Sequence, residues 1–71
     1  MIDQDTKFVI VGLGVLGGSY AQVLSSKGYH VTGIDIDEET ISFALEKGWI
    51  EKGGSDPSLA ADGDIVVCAL Y

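Results

Sequence analysis

Short apolar runs alternate with amphipathic segments along this chain. The run from Lys7 to Val11 is rich in β-branched residues and ends at a glycine, which predicts a strand buried on both faces. Similar runs at His30–Ile34 and at Ile65–Leu70 predict two more strands. Because helical patterns and short connections separate the strands, the sequence predicts an α/β fold with a parallel sheet and right-handed crossovers.

Two helices are predicted between these strands. The second has a readable start at Asp37, an N-cap residue followed by two acidic residues, and it ends at Gly48. The first spans about residues 16–27, and four of its apolar residues recur at helical spacing, which predicts a buried face made of Leu16, Tyr20, Val23 and Leu24. Trp49 is also predicted to lie in the core.

The segment before the last strand is the least regular. Trp49–Ile50 is interpreted as a very short strand, and the glycine-rich residues 53–56 as a loop. Asp56 and Pro57 mark a helix start, but only about one turn fits before Gly63. Cys68 lies within the last apolar run and is predicted to be a buried packing residue.

Composition narrows the class of protein. The chain has 71 residues, one cysteine and a formal net charge of −7, so it could neither neutralise a run of nucleic-acid phosphates nor bind an anionic membrane surface. A lone cysteine favours a reducing, cytoplasmic setting. No apolar run is long enough to span a bilayer. We interpret residues 1–71 as one unit, the N-terminal portion of a larger domain truncated after about its fourth strand.

Three glycines directly after the first strand form the pattern Gly12-x-Gly14-x-x-Gly17. In this context Gly12 allows a tight turn, Gly14 lets the backbone approach a pyrophosphate, and Gly17 lets the helix pack closely on the sheet. The backbone N–H groups at the helix start, those of Val15 and Leu16 among them, would hold the diphosphate without a basic side chain. The pattern therefore predicts a Rossmann-type dinucleotide-binding unit.

Asp35 completes the pattern and selects the cofactor. It closes the second strand 18 positions after Gly17, near the spacing of about 20 typical of such units. Its carboxylate would accept hydrogen bonds from the adenosine ribose and repel the 2′-phosphate of NADP, and Ile36 follows where an arginine would favour that phosphate. The predicted cofactor is NAD. The alternative is that the glycines only shape a turn and Asp35 only ends a strand.

The chain resembles the opening of the prephenate dehydrogenases. The similarity covers residues 7–70 and is most specific in the doubled glycine followed by Ser19 and in the pattern Ala-Leu-x-x-Gly-x-Ile at residues 44–50. Two residues depart from the family: Tyr20 stands where an aliphatic residue is more common, and Tyr71 stands about where a proline is expected.

This resemblance implies an NAD-dependent oxidative decarboxylation of prephenate to 4-hydroxyphenylpyruvate in tyrosine synthesis. Ala69 and Leu70 would then lie near the nicotinamide. It also implies that the catalytic residues and a helical dimerisation domain follow residue 71, so this chain alone would be inactive and the whole protein a homodimer. The alternatives are an arogenate dehydrogenase, another NAD-dependent dehydrogenase, or a non-catalytic nucleotide-sensing regulatory domain of a potassium transporter.

The predicted topology leads to one more expectation, which concerns the faces of the sheet. In the Rossmann strand order the two predicted helices cover the same face of the sheet, which would leave the other face largely bare and the last strand with an open edge. An apolar surface of this kind is rare on a monomer, so we expect the chain to pair with a second copy.

Overall fold

The computed structural model describes residues 2–69, without the side chains of residues 15, 16 and 62. Strands and helices alternate along this part of the chain. Their bounds, in chain order, are β1 (Lys7–Val11), α1 (Val15–Ser26), β2 (His30–Ile34), α2 (Glu38–Lys47), β3 (Lys52–Gly54), a 3₁₀ helix (Pro57–Asp62) and β4 (Ile65–Cys68). Within these residues neither α-helix combines the length and apolarity that crossing a bilayer would need.

All four strands form one parallel sheet in the order β3-β2-β1-β4. β1 is central, with Val11 paired to Ile34 of β2 on one side and to Cys68 of β4 on the other. The order changes direction at β1, because the chain moves outward to β3 and then returns to add β4 on the other side. The predicted α/β fold of a partial Rossmann type is confirmed.

Small residues determine which face of α1 packs against the sheet. Gly17 and Ala21 face inward and are buried, and Leu24 packs against the core cluster. Tyr20 and Val23 are 47% and 52% exposed, so the prediction that they belong to the buried face was wrong. A helix that packs close to a sheet has its smallest residues at the contact. The periodicity of large apolar residues therefore does not indicate which face of such a helix is buried.

The helix-covered face of the sheet contains the core. Trp49 packs against this cluster, as predicted, and its ring meets Phe43 edge-on with the centroids 5.4 Å apart. At the start of α2 the side chain of Asp37 accepts from the N–H of Glu39 at 3.0 Å, which confirms the predicted N-cap. The buried residues that form the cluster are Ile10, Leu13, Ala21, Val31, Ile41, Ala44, Ile50 and Ala69.

The third strand lies later in the chain than predicted. Residues 52–54 pair with β2, whereas Trp49–Ile50 ends the connection from α2 and the side chain of Ile50 is buried beneath the sheet. A Cβ on Gly53 would lie 2.7 Å from Cδ1 of Ile50 and 3.1 Å from the carbonyl oxygen of Gly33. Glycine is therefore required by close packing, and the interpretation of residues 53–56 as a loop was wrong for its first two residues.

The opposite face is not largely bare, contrary to the expectation from topology. The 3₁₀ helix contacts β1 and β2 on this face, and Val9, Thr32 and Ile34 are buried there. β4 is left uncovered on this face: Val66 is 47% exposed and Cys68 is exposed, so the prediction that Cys68 is buried was also wrong. The sequence predicted only about one helical turn here, but the six residues of the 3₁₀ helix cover both β1 and β2.

The 3₁₀ helix depends on its N-cap, Asp56. The backbone N–H and hydroxyl of Ser58 hold the pKa of this carboxyl below its usual range, and the N–H donates to Oδ1 at 2.9 Å. Since the folded-state pKa is lower than the unfolded one, the carboxylate stabilises the fold above the unfolded pKa of about 3.9. This contribution is lost as the pH falls through the folded value.

We therefore predict that Asp56→Ala lowers the free energy of unfolding at pH 7 and that the difference from the unaltered chain shrinks below about pH 4. Urea unfolding followed by circular dichroism at several pH values measures this. Asp56→Asn is the control, because asparagine also caps but does not titrate. A difference between the alanine variant and the unaltered chain that stays constant down to pH 2.5 would contradict the assignment.

Candidate functional site

The carboxyl ends of β1 and β2 bring the predicted site residues to one edge of the sheet. The turn from β1 to α1 carries Gly12 and Gly14, and Asp35 follows β2 directly. Ligands of open α/β sheets bind at this edge, beside the point where the strand order changes direction. Here that point lies between β1 and β4.

Two of the three motif glycines are required by the chain itself. Gly12 has φ +90°, a backbone conformation in which a side chain costs about 1–2 kcal/mol. A Cβ on Gly17 would overlap the carbonyl oxygen of Gly12, so α1 could not pack so closely on the turn. Both glycines therefore shape the turn and the helix position.

Gly14 differs from both. Its φ of −64° is not the left-handed conformation that favours glycine, and a Cβ built on it would meet no described atom beyond its chain neighbours within 4 Å. It is the N-cap of α1 and provides no side-chain hydrogen bond to the first turn. Neither a positive φ nor packing against the described residues explains a glycine here. Its missing side chain instead leaves the positive end of the helix dipole open to a ligand from outside.

Asp35 contacts the loop directly, which the sequence did not indicate. Oδ2 of its carboxylate accepts from the backbone N–H of Leu13 at 2.8 Å, and Oδ1 accepts from the N–H of Asp37 at 2.9 Å. The residue is half-buried, with its carboxylate beside the glycine turn. The side chain of Leu13 is buried in the core, so this packing fixes the loop in addition to the hydrogen bond that Asp35 accepts.

A mostly apolar cleft of about 300 Å³ opens next to Asp35. One side chain at this cleft, Ile36, is 91% exposed, the largest exposed fraction among the large apolar side chains for which the structure gives one. Ser55 and Pro57 come from the segment after β3 and were missed by sequence reasoning, because that segment was interpreted as a loop with no partner strand. The lining residues are Val11, Gly12, Ile34, Asp35, Ile36, Ser55 and Pro57.

Of the four remaining predicted site residues, the structure describes the side chain of Ala69 alone. Val15 and Leu16 occupy the first turn of α1, but their side chains lie outside the described part. Ala69 is buried, and its Cβ lies 3.4 Å from the position that a Cβ on Gly17 would take, so it packs beneath α1. Leu70 lies outside the described residues. Among the side chains that the structure describes, no group of three or more His, Cys, Asp or Glu could hold a metal ion.

The chain matches a known family model, the TrkA-N domain, over residues 8–66. No curated protein matches it. Among solved structures it is similar to the arogenate dehydrogenase of Synechocystis, with 30% identity and a TM-score of 0.86 over 89% of this chain and 23% of that one.

Two further solved structures share the fold. The prephenate dehydrogenase of A. aeolicus, in complex with hydroxyphenyl propionate and NAD⁺, has 34% identity and a TM-score of 0.78 over 89% of this chain and 23% of that one. The WlbA dehydrogenase of Chromobacterium violaceum, in complex with NADH and UDP-GlcNAcA, has a TM-score of 0.75 over 99% of this chain and 22% of that one, and its 21% identity shows the fold alone. The chain thus spans about a quarter of the length of these enzymes.

Proposed function

Because the chain belongs to the TrkA-N domain family, we propose that it binds NAD as the nucleotide-binding portion of an oxidoreductase. The observation that carries this proposal is the glycine at position 14, which neither a positive φ nor packing among the described residues requires. Its place at the start of α1 allows a diphosphate to approach the backbone N–H groups of the first turn. An acidic chain can hold an anion in this way because the helix end, and not a basic side chain, supplies the positive field.

The cleft beside Asp35 fits the adenosine half of the cofactor. A flat, largely apolar base would lie between the exposed side chain of Ile36 and Pro57, which would cover apolar surface that otherwise faces water. The ribose hydroxyls would then reach the carboxylate of Asp35. Gly14 and Asp35 thus bind the diphosphate and the adenosine ribose, and NAD when bound supplies a nicotinamide ring that accepts a hydride.

For the whole protein we propose the oxidative decarboxylation of prephenate to 4-hydroxyphenylpyruvate. The similarity to a prephenate and an arogenate dehydrogenase at 34% and 30% identity supports this reaction class. Arogenate is the alternative substrate, and the groups that would separate the two are not among the residues of this chain that we assign to the site. The role of residues 12–35 is then to position the cofactor while the rest of the protein binds the substrate.

A nucleotide-sensing regulatory domain of a potassium transporter is a second candidate. The match to the TrkA-N family favours it, since the same strand-turn-helix unit serves binding without chemistry. Both candidates bind NAD, so binding does not separate them. Turnover does: the complete protein reduces NAD in the presence of prephenate or arogenate if it is the enzyme, and produces no NADH with either if it is a regulatory domain.

The proposal extends to the surroundings of the whole protein. We propose a cytoplasmic homodimer, because the resemblance to the prephenate dehydrogenases implies a helical dimerisation domain. The single cysteine, Cys68, fits a reducing compartment.

Gly14→Val tests the diphosphate site. We predict that it abolishes NAD binding, because a branched side chain would occupy the space that the pyrophosphate needs. The circular dichroism spectrum should show that most of the fold is kept, since a Cβ at this position meets no described neighbour, although valine is a poorer N-cap residue than glycine and lowers the melting temperature. Calorimetric titration with NAD measures the effect. Gln22→Val, at an exposed position of the same helix, is the matched control and should bind normally. Undiminished binding by Gly14→Val would mean that the loop is only a turn.

Asp35 predicts the choice between cofactors. The intact protein should have a higher kcat/KM with NAD than with NADP, because the carboxylate repels the 2′-phosphate and Ile36 offers it no charge. Asp35→Ala should narrow the ratio by removing that repulsion. Steady-state kinetics with both cofactors measures the ratio, and a clear preference of the unaltered protein for NADP would contradict the assignment.

A further inference from the structure

The carboxylate of Asp35 is already engaged with the backbone before any ligand is considered. One oxygen accepts from Leu13 in the glycine loop and the other from Asp37 at the start of α2. The first of these bonds, 2.8 Å long, joins groups that are 22 residues apart in the chain and partly buried. A residue whose only role was to contact a ribose would not need to hold the loop.

We propose that Asp35 is a positioning residue for the diphosphate loop, acting through the N–H of Leu13, in addition to its contact with the ribose. This inference rests on the proposed function, because the loop is taken to be the diphosphate site. It means that the two halves of the adenosine diphosphate are not recognised independently: the group that contacts the ribose also keeps the turn below the diphosphate in its binding shape.

The main-chain pairing between β1 and β2 shows why a side chain is needed. The N–H of Gly12 donates to the carbonyl oxygen of Ile34 at 2.8 Å, which extends the strand pairing one residue beyond β1. The next donor along the loop, the N–H of Leu13, is accepted by the side chain of Asp35. The carboxylate thus continues the pairing at the point where the chain turns away toward α1.

Losing this acceptor would be costly for the loop. The bond is charge-assisted and partly buried, and a buried N–H that loses its partner is destabilised by more than the net strength of an ordinary hydrogen bond. Leu13 cannot easily turn its N–H toward water, because its side chain is buried against Gly33. Without the carboxylate, the loop would spend less of its time in the binding shape, and the apparent affinity would fall by that fraction.

Binding of the ribose does not compete with this role. A carboxylate oxygen accepts more than one hydrogen bond, so each oxygen keeps capacity for a ribose hydroxyl beside its backbone donor. One consequence concerns cofactor choice. A substitution of Asp35 that removes the repulsion of the 2′-phosphate also removes the support of the loop, so it should weaken binding of every ligand that carries the diphosphate.

A ligand without ribose hydroxyls separates the two roles. The dissociation constants of ADP and 2′,3′-dideoxy-ADP are measured by titration for the unaltered chain, Asp35→Ala and Asp37→Asn. Asp35→Ala removes the acceptors of both backbone N–H groups, whereas an asparagine here could still accept from Leu13 through its amide oxygen. Asp37→Asn removes the same charge two residues away and keeps an N-cap, so it reports the effect of charge alone.

We expect Asp35→Ala to bind dideoxy-ADP roughly three- to tenfold more weakly than Asp37→Asn does. Equal affinities of these two variants for dideoxy-ADP, with a difference only for ADP, would overturn the inference and leave the proposed function intact. Failure of the unaltered chain to bind ADP at all would overturn the proposed function and the inference with it.

Amide hydrogen exchange by NMR gives a readout that needs no ligand. In Asp35→Ala the N–H of Leu13 should exchange at least several-fold faster than in the unaltered chain, whereas the N–H of Gly12, bonded to the main chain, should keep its rate. Asp37→Asn should leave both rates unchanged. An unchanged rate for Leu13 in Asp35→Ala would show that the carboxylate does not hold the loop.

Discussion

The close approach of α1 to the turn that precedes it is the constraint on which the rest of this structure depends. A helix that follows a central parallel strand must return over the sheet within a few residues, and here it does so with Gly17 against the carbonyl oxygen of Gly12. This contact sets the phase of α1, so that Ala21 faces the sheet and Tyr20 faces outward. It also points the start of the helix at the carboxyl edge of the sheet, where an anion can meet it.

The same edge explains how a chain with a net charge of −7 could bind a diphosphate. In the site we propose, attraction comes from the end of α1 and from backbone N–H groups, and the carboxylate of Asp35 is directed at backbone donors. Acidity and anion binding are therefore compatible, because the field that matters is local. The cleft formed with Ile36 and Pro57 offers apolar surface, which in the site we propose would contact the base.

Much of this fold could be predicted from sequence, and the failures have common physical causes. β1 and β2 are marked by β-branched residues and α2 by its N-cap and its C-terminal glycine, all of them local signals. β3 was missed because Gly53 is selected by packing against Ile50 and the neighbouring strand, and not by strand propensity. The motif residues at the candidate site were predictable from their spacing. The positions of Ser55 and Pro57 were not, because β3 must first pair with β2 to bring the segment that follows it to the cleft. The bond between Asp35 and Leu13 likewise depends on tertiary structure.

The central claim is that a dinucleotide lies across the glycine loop and the cleft beside Asp35, and mapping of backbone amide shifts tests it most directly. The ¹⁵N–¹H spectrum of the chain is recorded during a titration with NAD. The account predicts the largest shifts at residues 12–17, at residues 35–36 and at residues 55–57, with small shifts at the amino ends of the strands around Lys7 and His30. Shifts concentrated at those amino ends, or no saturable shifts at millimolar NAD, would contradict it.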